Sequence, residues 1–197
     1  MGDPRDSLCP ILGRYTQLVI ERGEGPYLYT ADGRRYLDFT TGIGVVNTGH
    51  CHPKVVSAAQ EQVGKLIHGQ ANVVYHQPSL ELVEELQKVL PGHLNGFFFA
   101  NSGAEAIEAA MKLARHATGR TNLIVFQGGF HGRTVGALSL TTSNPVYHYK
   151  YQPLMAGVYV APYPYPYFFG WSEPETESFC LRMLRHTLAS QTATGET

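Results

Sequence analysis

Three short apolar runs constrain what this chain can fold into. GFFFA (residues 96–100) is wholly apolar, as expected for a strand buried on both faces, and NLIVFQ (122–127) and GVYVAP (157–162) read the same way. Helical sequence lies between and after them. The stretch from Ser102 to about His116 carries Ile107, Ala110, Met111 and Ala114 on one face, and ESFCLRMLRHTLAS carries Phe179, Met183 and Leu184 on one side. RTVGALSLT also has helical character. Strands alternating with helices predict an α/β layer on a mainly parallel sheet.

The first seventy residues read differently and lean towards antiparallel structure. YLYTADGRRYLDF is two aromatic-rich runs around Asp32-Gly33, a hairpin signal. TTGIGVVNTGHCHP is rich in Gly and Thr and reads as a loop. HPKVVSAAQEQVGKLIHG is helical, with Val55, Ala58, Ala59, Gln62 and Leu66 on one face. PSLELVEELQKVLPG is a stronger helix, opened by Pro78, striped by Leu82, Leu86 and Val89, and closed by Pro91-Gly92. PYPYPY (162–167) is the one biased segment. It reads as a rigid loop leaving a strand, with a proline-rich ligand for a partner module as the alternative.

Composition bounds the function. Hydrophobic residues are 43% and charged residues 16% of 197, the balance of a soluble globular chain. A net charge of −1 gives no electrostatic case for nucleic acid. No apolar run approaches the roughly 18 residues of a membrane helix. MGDPRDSLCP has no basic region leading into an apolar one, so no secretory leader is expected. Three scattered cysteines (Cys9, Cys51, Cys180) imply a reducing compartment and no disulfide framework.

The junction FANSGAE has two readings. In the first, Ser102 is an N-cap and Glu105 the third helical residue of an S-x-x-E capping box. That accounts for the serine and the glutamate, but a glycine in the first turn costs stability. In the second, the helix start is an anion site. Its unpaired N–H groups and positive dipole end face the crevice at the end of a buried strand, where open α/β sheets bind ligands. Gly103 lets a phosphate approach the backbone, and Ser102 adds a hydroxyl. The two readings are compatible, because a cap satisfies one donor and leaves others. The next strand ends in QGGFHGRT. If it neighbours the first, Phe130 and His131 stand on the same rim, and an aromatic face suits a planar, electron-poor ring. Ordinary packing for Phe130 and a surface ion pair for Arg133 are the plainer alternatives. The functional one makes Arg133 a carboxylate clamp, whose planar fork binds both oxygens.

With DGRRYLDFTTGIGVVNTGHCHPKV, FANSGAEAIEAAMKLAR and FQGGFHGRTVGALSLT in this order and spacing, the chain resembles the class III, pyridoxal-phosphate-dependent aminotransferases, in particular the 4-aminobutyrate and acetylornithine/ornithine group. The resemblance implies a fold-type I α/β architecture. Residues 1–70 would be an N-terminal segment belonging to a small domain, and 71–197 part of a large cofactor-binding domain. It implies a cup for the phosphate of pyridoxal 5'-phosphate at Ser102, Gly103 and Ala104, with Phe130 stacked on the cofactor ring and His131 and Gly132 completing the turn. Arg133 would bind the substrate carboxylate, Ile43 would lie near the substrate pocket, and Glu105 would have a structural role. The implied reaction moves an amino group from an ω-amino acid of the 4-aminobutyrate type to a 2-oxo acid, with acetylornithine or ornithine as the alternative donor. A homodimer and a cytoplasmic location are implied, an organelle being left open.

The same resemblance implies two residues this chain does not show: a lysine that forms a Schiff base with the cofactor and a carboxylate for the pyridinium nitrogen. Lys54, Lys65, Lys88, Lys112 and Lys150 lie in other contexts, so no catalytic lysine is nominated. The expectation is an N-terminal portion, inactive in transamination by itself. The alternative is a non-catalytic product with a partial cofactor site or an interaction role. A metal site at His50-Cys51-His52 is a poor third, since three consecutive residues make a poor tetrahedral cage.

Overall fold

The computed structural model describes residues 2–11, 13–193 and 195–197. The chain forms two compact units, Met1–Val89 and Leu90–Thr197.

In the first unit, β1 (Ile20–Glu24), β2 (Tyr27–Thr30) and β3 (Arg35–Leu37) form an antiparallel sheet in that order. The β2–β3 turn is the hairpin at Asp32-Gly33, with Gly33 at φ 82°. β1 was not foreseen; IERGE has only one aliphatic residue to mark it. Tyr29 is flanked across the sheet by Arg22 and Arg35, and the Arg22 guanidinium lies 3.5 Å from the Tyr29 ring centre.

The Gly/Thr-rich segment is a loop holding a short element, α1 (Thr41–Gly44), whose residues Thr41, Gly42, Ile43 and Gly44 all have positive φ. Helices α2 (Pro53–Lys65) and α3 (Gln77–Val89) follow at the expected places. Neither buries a residue, so the apolar faces read from the sequence remain largely exposed.

In the second unit, α4 (Gly103–Thr118) runs from its Ser102 cap to a left-handed Gly119. β4 (Leu123–Phe126) pairs in parallel with β5 (Val158–Ala161), in the register Leu123↔Val158 to Phe126↔Ala161. Helix α5 (Val135–Leu140) lies in the crossover, and α6 (Pro166–Phe169) and α7 (Glu173–Ser190) follow β5. Met111, Val125 and Leu140 form the core, with Ile107, Leu123, Met155 and Val158 packed against it. α7 buries Thr176, Cys180 and Thr187 along one stripe, with Phe179, Met183 and Leu184 half-buried beside it.

Three expectations need correction. GFFFA is not a strand. Residues 96–100 have no ladder partner, and Phe98 and Phe99 are exposed. A buried strand needs a neighbour to take its N–H and C=O groups, and among the described residues none bonds to the backbone of this run. On α4, only Met111 is fully buried. Ile107, Ala110 and Ala114 line an open apolar groove against β4, so the stripe has no complete cover. PYPYPY keeps a loop at its start but turns into α6 at Pro166, where proline suits the first helical position.

Candidate active site

The first turn of α4 is built by local hydrogen bonds. Ser102 Oγ accepts from the Glu105 N–H at 3.2 Å, and Glu105 Oε2 accepts from the Asn101 N–H at 2.6 Å. This is a capping box shifted by one residue, since the carboxylate reaches the residue before the cap. It also gives Glu105 its structural role. The N–H groups of Gly103 and Ala104 keep no acceptor among the described residues. A Cβ on Gly103 would meet nothing within 4 Å, and both residues line an open cleft. The Ser102 hydroxyl accepts in the cap and retains its own proton to donate.

The loop after β4 lies against this turn because of Gly132. Its φ is 135°, and a Cβ there would stand 2.7 Å from the Ala104 Cβ and 3.0 Å from that of Ala137. Only glycine fits between the two helices. The result is an open cleft of about 530 Å³ lined by Gly103, Ala104, Phe130, His131, Gly132 and Arg133, with Ile107 and Thr134 at its margin.

Each lining side chain has a support or a free end. The Phe130 ring is half exposed and meets Tyr147 edge-on at 5.4 Å, which leaves a face open. Arg133 is exposed, and its guanidinium makes no ion pair or hydrogen bond with a described residue. The loop backbone is clamped from beneath. Fully buried Thr141 accepts from the His131 N–H at 3.0 Å and lies 3.1 Å from the Gly132 carbonyl. Thr142 accepts from the Gly129 N–H at 3.0 Å and donates to the Phe126 carbonyl at 2.6 Å.

Sequence reasoning missed Thr141, Thr142 and Glu108. The last accepts from Thr134 Oγ1 at 2.7 Å. The one available signal was a polar Thr-Thr pair closing an apolar helix. Nothing in the helical pattern distinguishes Glu108 from a solvated residue.

Ile43 belongs to the first unit. It is 97% exposed, with φ 60° and ψ 51°. A β-branched residue in this region is strained, and such strain collects at functional sites. Asp38 holds the preceding turn. Its Oδ1 accepts from the Thr40 hydroxyl at 2.6 Å and from the N–H groups of Thr40 and Thr41 at 2.9 and 3.1 Å, while Oδ2 meets His50 Nε2 at 2.8 Å. The Thr40 hydroxyl and His50 together hold its carboxyl down to about 2. Committed to Asp38, His50 does not join Cys51 and His52, and no metal-binding cluster exists among the described residues.

The sequence profile of the class-III aminotransferases matches residues 12–195. The chain belongs to this family. The acetylornithine aminotransferase of Archaeoglobus fulgidus is 47% identical over 158 residues, 79% of this chain and 41% of that one. A probable 4-aminobutyrate aminotransferase of Bacillus subtilis is 46% identical over 74% of this chain and 34% of its own length. A thermostable (S)-enantioselective omega-transaminase from Thermomicrobium roseum superimposes with a TM-score of 0.83 at 32% identity, over 92% of this chain and 42% of that structure. An amine transaminase from an uncultivated Pseudomonas species, solved with pyridoxal phosphate bound, superimposes at 0.78 with 29% identity. The fold is that of the fold-type I transaminases, and pyridoxal 5'-phosphate is the cofactor of this class III family. The chain spans about two-fifths of the length of these relatives.

Proposed function

We propose that this chain carries the phosphate- and carboxylate-binding part of a pyridoxal-phosphate-dependent transaminase, which moves the terminal amino group of a 4-aminobutyrate-like ω-amino acid to a 2-oxo acid. One observation carries the reading. Two partnerless N–H groups, at Gly103 and Ala104, share a cleft with a half-exposed aromatic ring, Phe130, and an uncommitted guanidinium, Arg133.

These groups fit the cofactor. The free N–H donors and the Ser102 hydroxyl take phosphate oxygens at the positive end of a 16-residue helix. Phe130 offers its open face to a flat pyridine ring, with His131 beside it. Arg133 takes the donor's carboxylate through two parallel hydrogen bonds and so fixes the distance at which the amine stands. When bound, the cofactor supplies the electron sink for proton loss at the amine-bearing carbon. Ile43 is proposed to bound the substrate pocket, on the strength of its strained, exposed position. A homodimer and a cytoplasmic location complete the reading. For the location, the three free cysteines point to a reducing compartment, which an organelle also offers.

A second reading has its own support. None of the five lysines lines the cleft, and the alternative is a non-catalytic product that binds cofactor or a partner subunit. Purification from the natural source separates the two. The intact mass is measured, and the protein is then screened with 4-aminobutyrate, 5-aminovalerate and N-acetylornithine as donors. A mass near twice 21.7 kDa with fastest turnover of 4-aminobutyrate is the expected result. A preference for N-acetylornithine overturns the donor assignment. A 21.7 kDa species without turnover overturns the catalytic reading in favour of the second.

A further inference from the structure

We propose that Glu108 is the positioning residue of the Arg133 clamp. From α4, its carboxylate fastens the end of the loop that carries Phe130, His131 and Arg133 to the helix whose first turn forms the anion cup. The inference rests on the reading of the cleft given above and adds a residue to it.

Glu108 lies about one and a half helical turns beyond Gly103. It is half-buried, and one of its oxygens serves two donors from the far side of the loop. Oε1 accepts from Thr134 Oγ1 at 2.7 Å and from the Ala137 N–H at 3.2 Å, an N–H that Thr134 Oγ1 shares at 3.4 Å. Thr134 is the residue after Arg133 and the cap of α5. The approach depends on Gly136, where a Cβ would stand 2.6 Å from both carboxylate oxygens. On the other side of Arg133, Gly132 abuts Ala104. Arg133 is thus bracketed on one helix, by close packing on Ala104 in front and by the Glu108 hydrogen bonds behind. Its backbone cannot move away from the cup without loosening the packing or breaking the bonds.

The geometry also says what the residue need not be. Both donors are neutral and converge on a single oxygen, so the negative charge has no required role and an amide oxygen at the same place serves as well. A glutamate kept for its charge behaves in the opposite way.

The test uses the 197-residue chain with Glu108→Gln and Glu108→Leu. Amide hydrogen exchange is followed across residues 130–137 without cofactor, and pyridoxal phosphate affinity is followed by absorbance. Losing two hydrogen bonds at the loop end is expected to speed exchange of the Ala137 N–H about tenfold or more in Glu108→Leu, with pyridoxal phosphate bound about tenfold more weakly. Glu108→Gln is expected to stay close to the parent in both. Amides of β4 and β5 report whether the fold persists. Should Glu108→Leu unfold, Gly136→Ala displaces the intact carboxylate and is expected to give the same two changes. Unchanged exchange in Glu108→Leu or Gly136→Ala overturns the proposal, and so does a Gln variant as impaired as the Leu one. A parent chain that does not bind pyridoxal phosphate at all counts against the phosphate cup instead, and the exchange measurement still decides the role of Glu108.

Discussion

Glycine at 132 is a single-atom constraint. Its positive φ and the 2.7 Å approach of Ala104 both forbid a side chain. Gly132→Ala is expected to cost about 1–3 kcal/mol through backbone strain and displaced helices, and to open the cleft, as read by a urea melt and by loss of pyridoxal phosphate binding. Asp38 carries a pH dependence. Its folded pKa, about 2, lies below its ordinary 3.8, so the stabilisation it gives is fully present above 3.8 and is lost as the pH falls through about 2. The amide resonances of Thr40 and Thr41, with the His50 ring, are expected to shift together in that window, and Asp38→Asn is expected to abolish the transition. Signals that stay fixed over this range contradict the clasp. At this scale the sequence was legible where a motif acts locally, as at the Ser102 cap of α4. It was silent on Glu108, because a glutamate in a helix is ordinary until its partners are known.

Helix α4 shows what an element owes to its own sequence. Ser102 begins it, Glu105 supports the start, and Gly119 in the left-handed conformation ends it. Ser102→Ala is expected to lower stability by about 1 kcal/mol in thermal unfolding and to weaken phosphate binding, since the same hydroxyl serves both. If the variant binds pyridoxal phosphate as tightly as the parent, the serine is a cap and nothing more. The run at residues 96–100 is the opposite case. It is as apolar as β4, yet it forms no strand, because strand formation depends on a partner supplied from elsewhere in the fold. β5 satisfies that condition for β4.

Over the whole molecule the surface is the telling quantity. The second unit leaves large apolar side chains open. Phe98, Phe168 and Tyr167 are 73%, 74% and 88% exposed, and the groove between α4 and β4 is open. Surfaces of this kind bind other surfaces. The isolated 197-residue chain is therefore expected to bind a hydrophobic dye strongly and to self-associate as its concentration rises in sedimentation velocity. A monodisperse monomer that does not bind dye runs against this expectation. The sequence by itself determined the cap of α4 and the Asp32-Gly33 hairpin, because caps and turns are settled by hydrogen bonds within about four residues. Tertiary structure alone decided that β4 pairs with β5, that residues 96–100 remain unpaired, and that Glu108 reaches Thr134 across 26 residues. Those outcomes depend on which distant groups share a neighbourhood, and no local pattern encodes that.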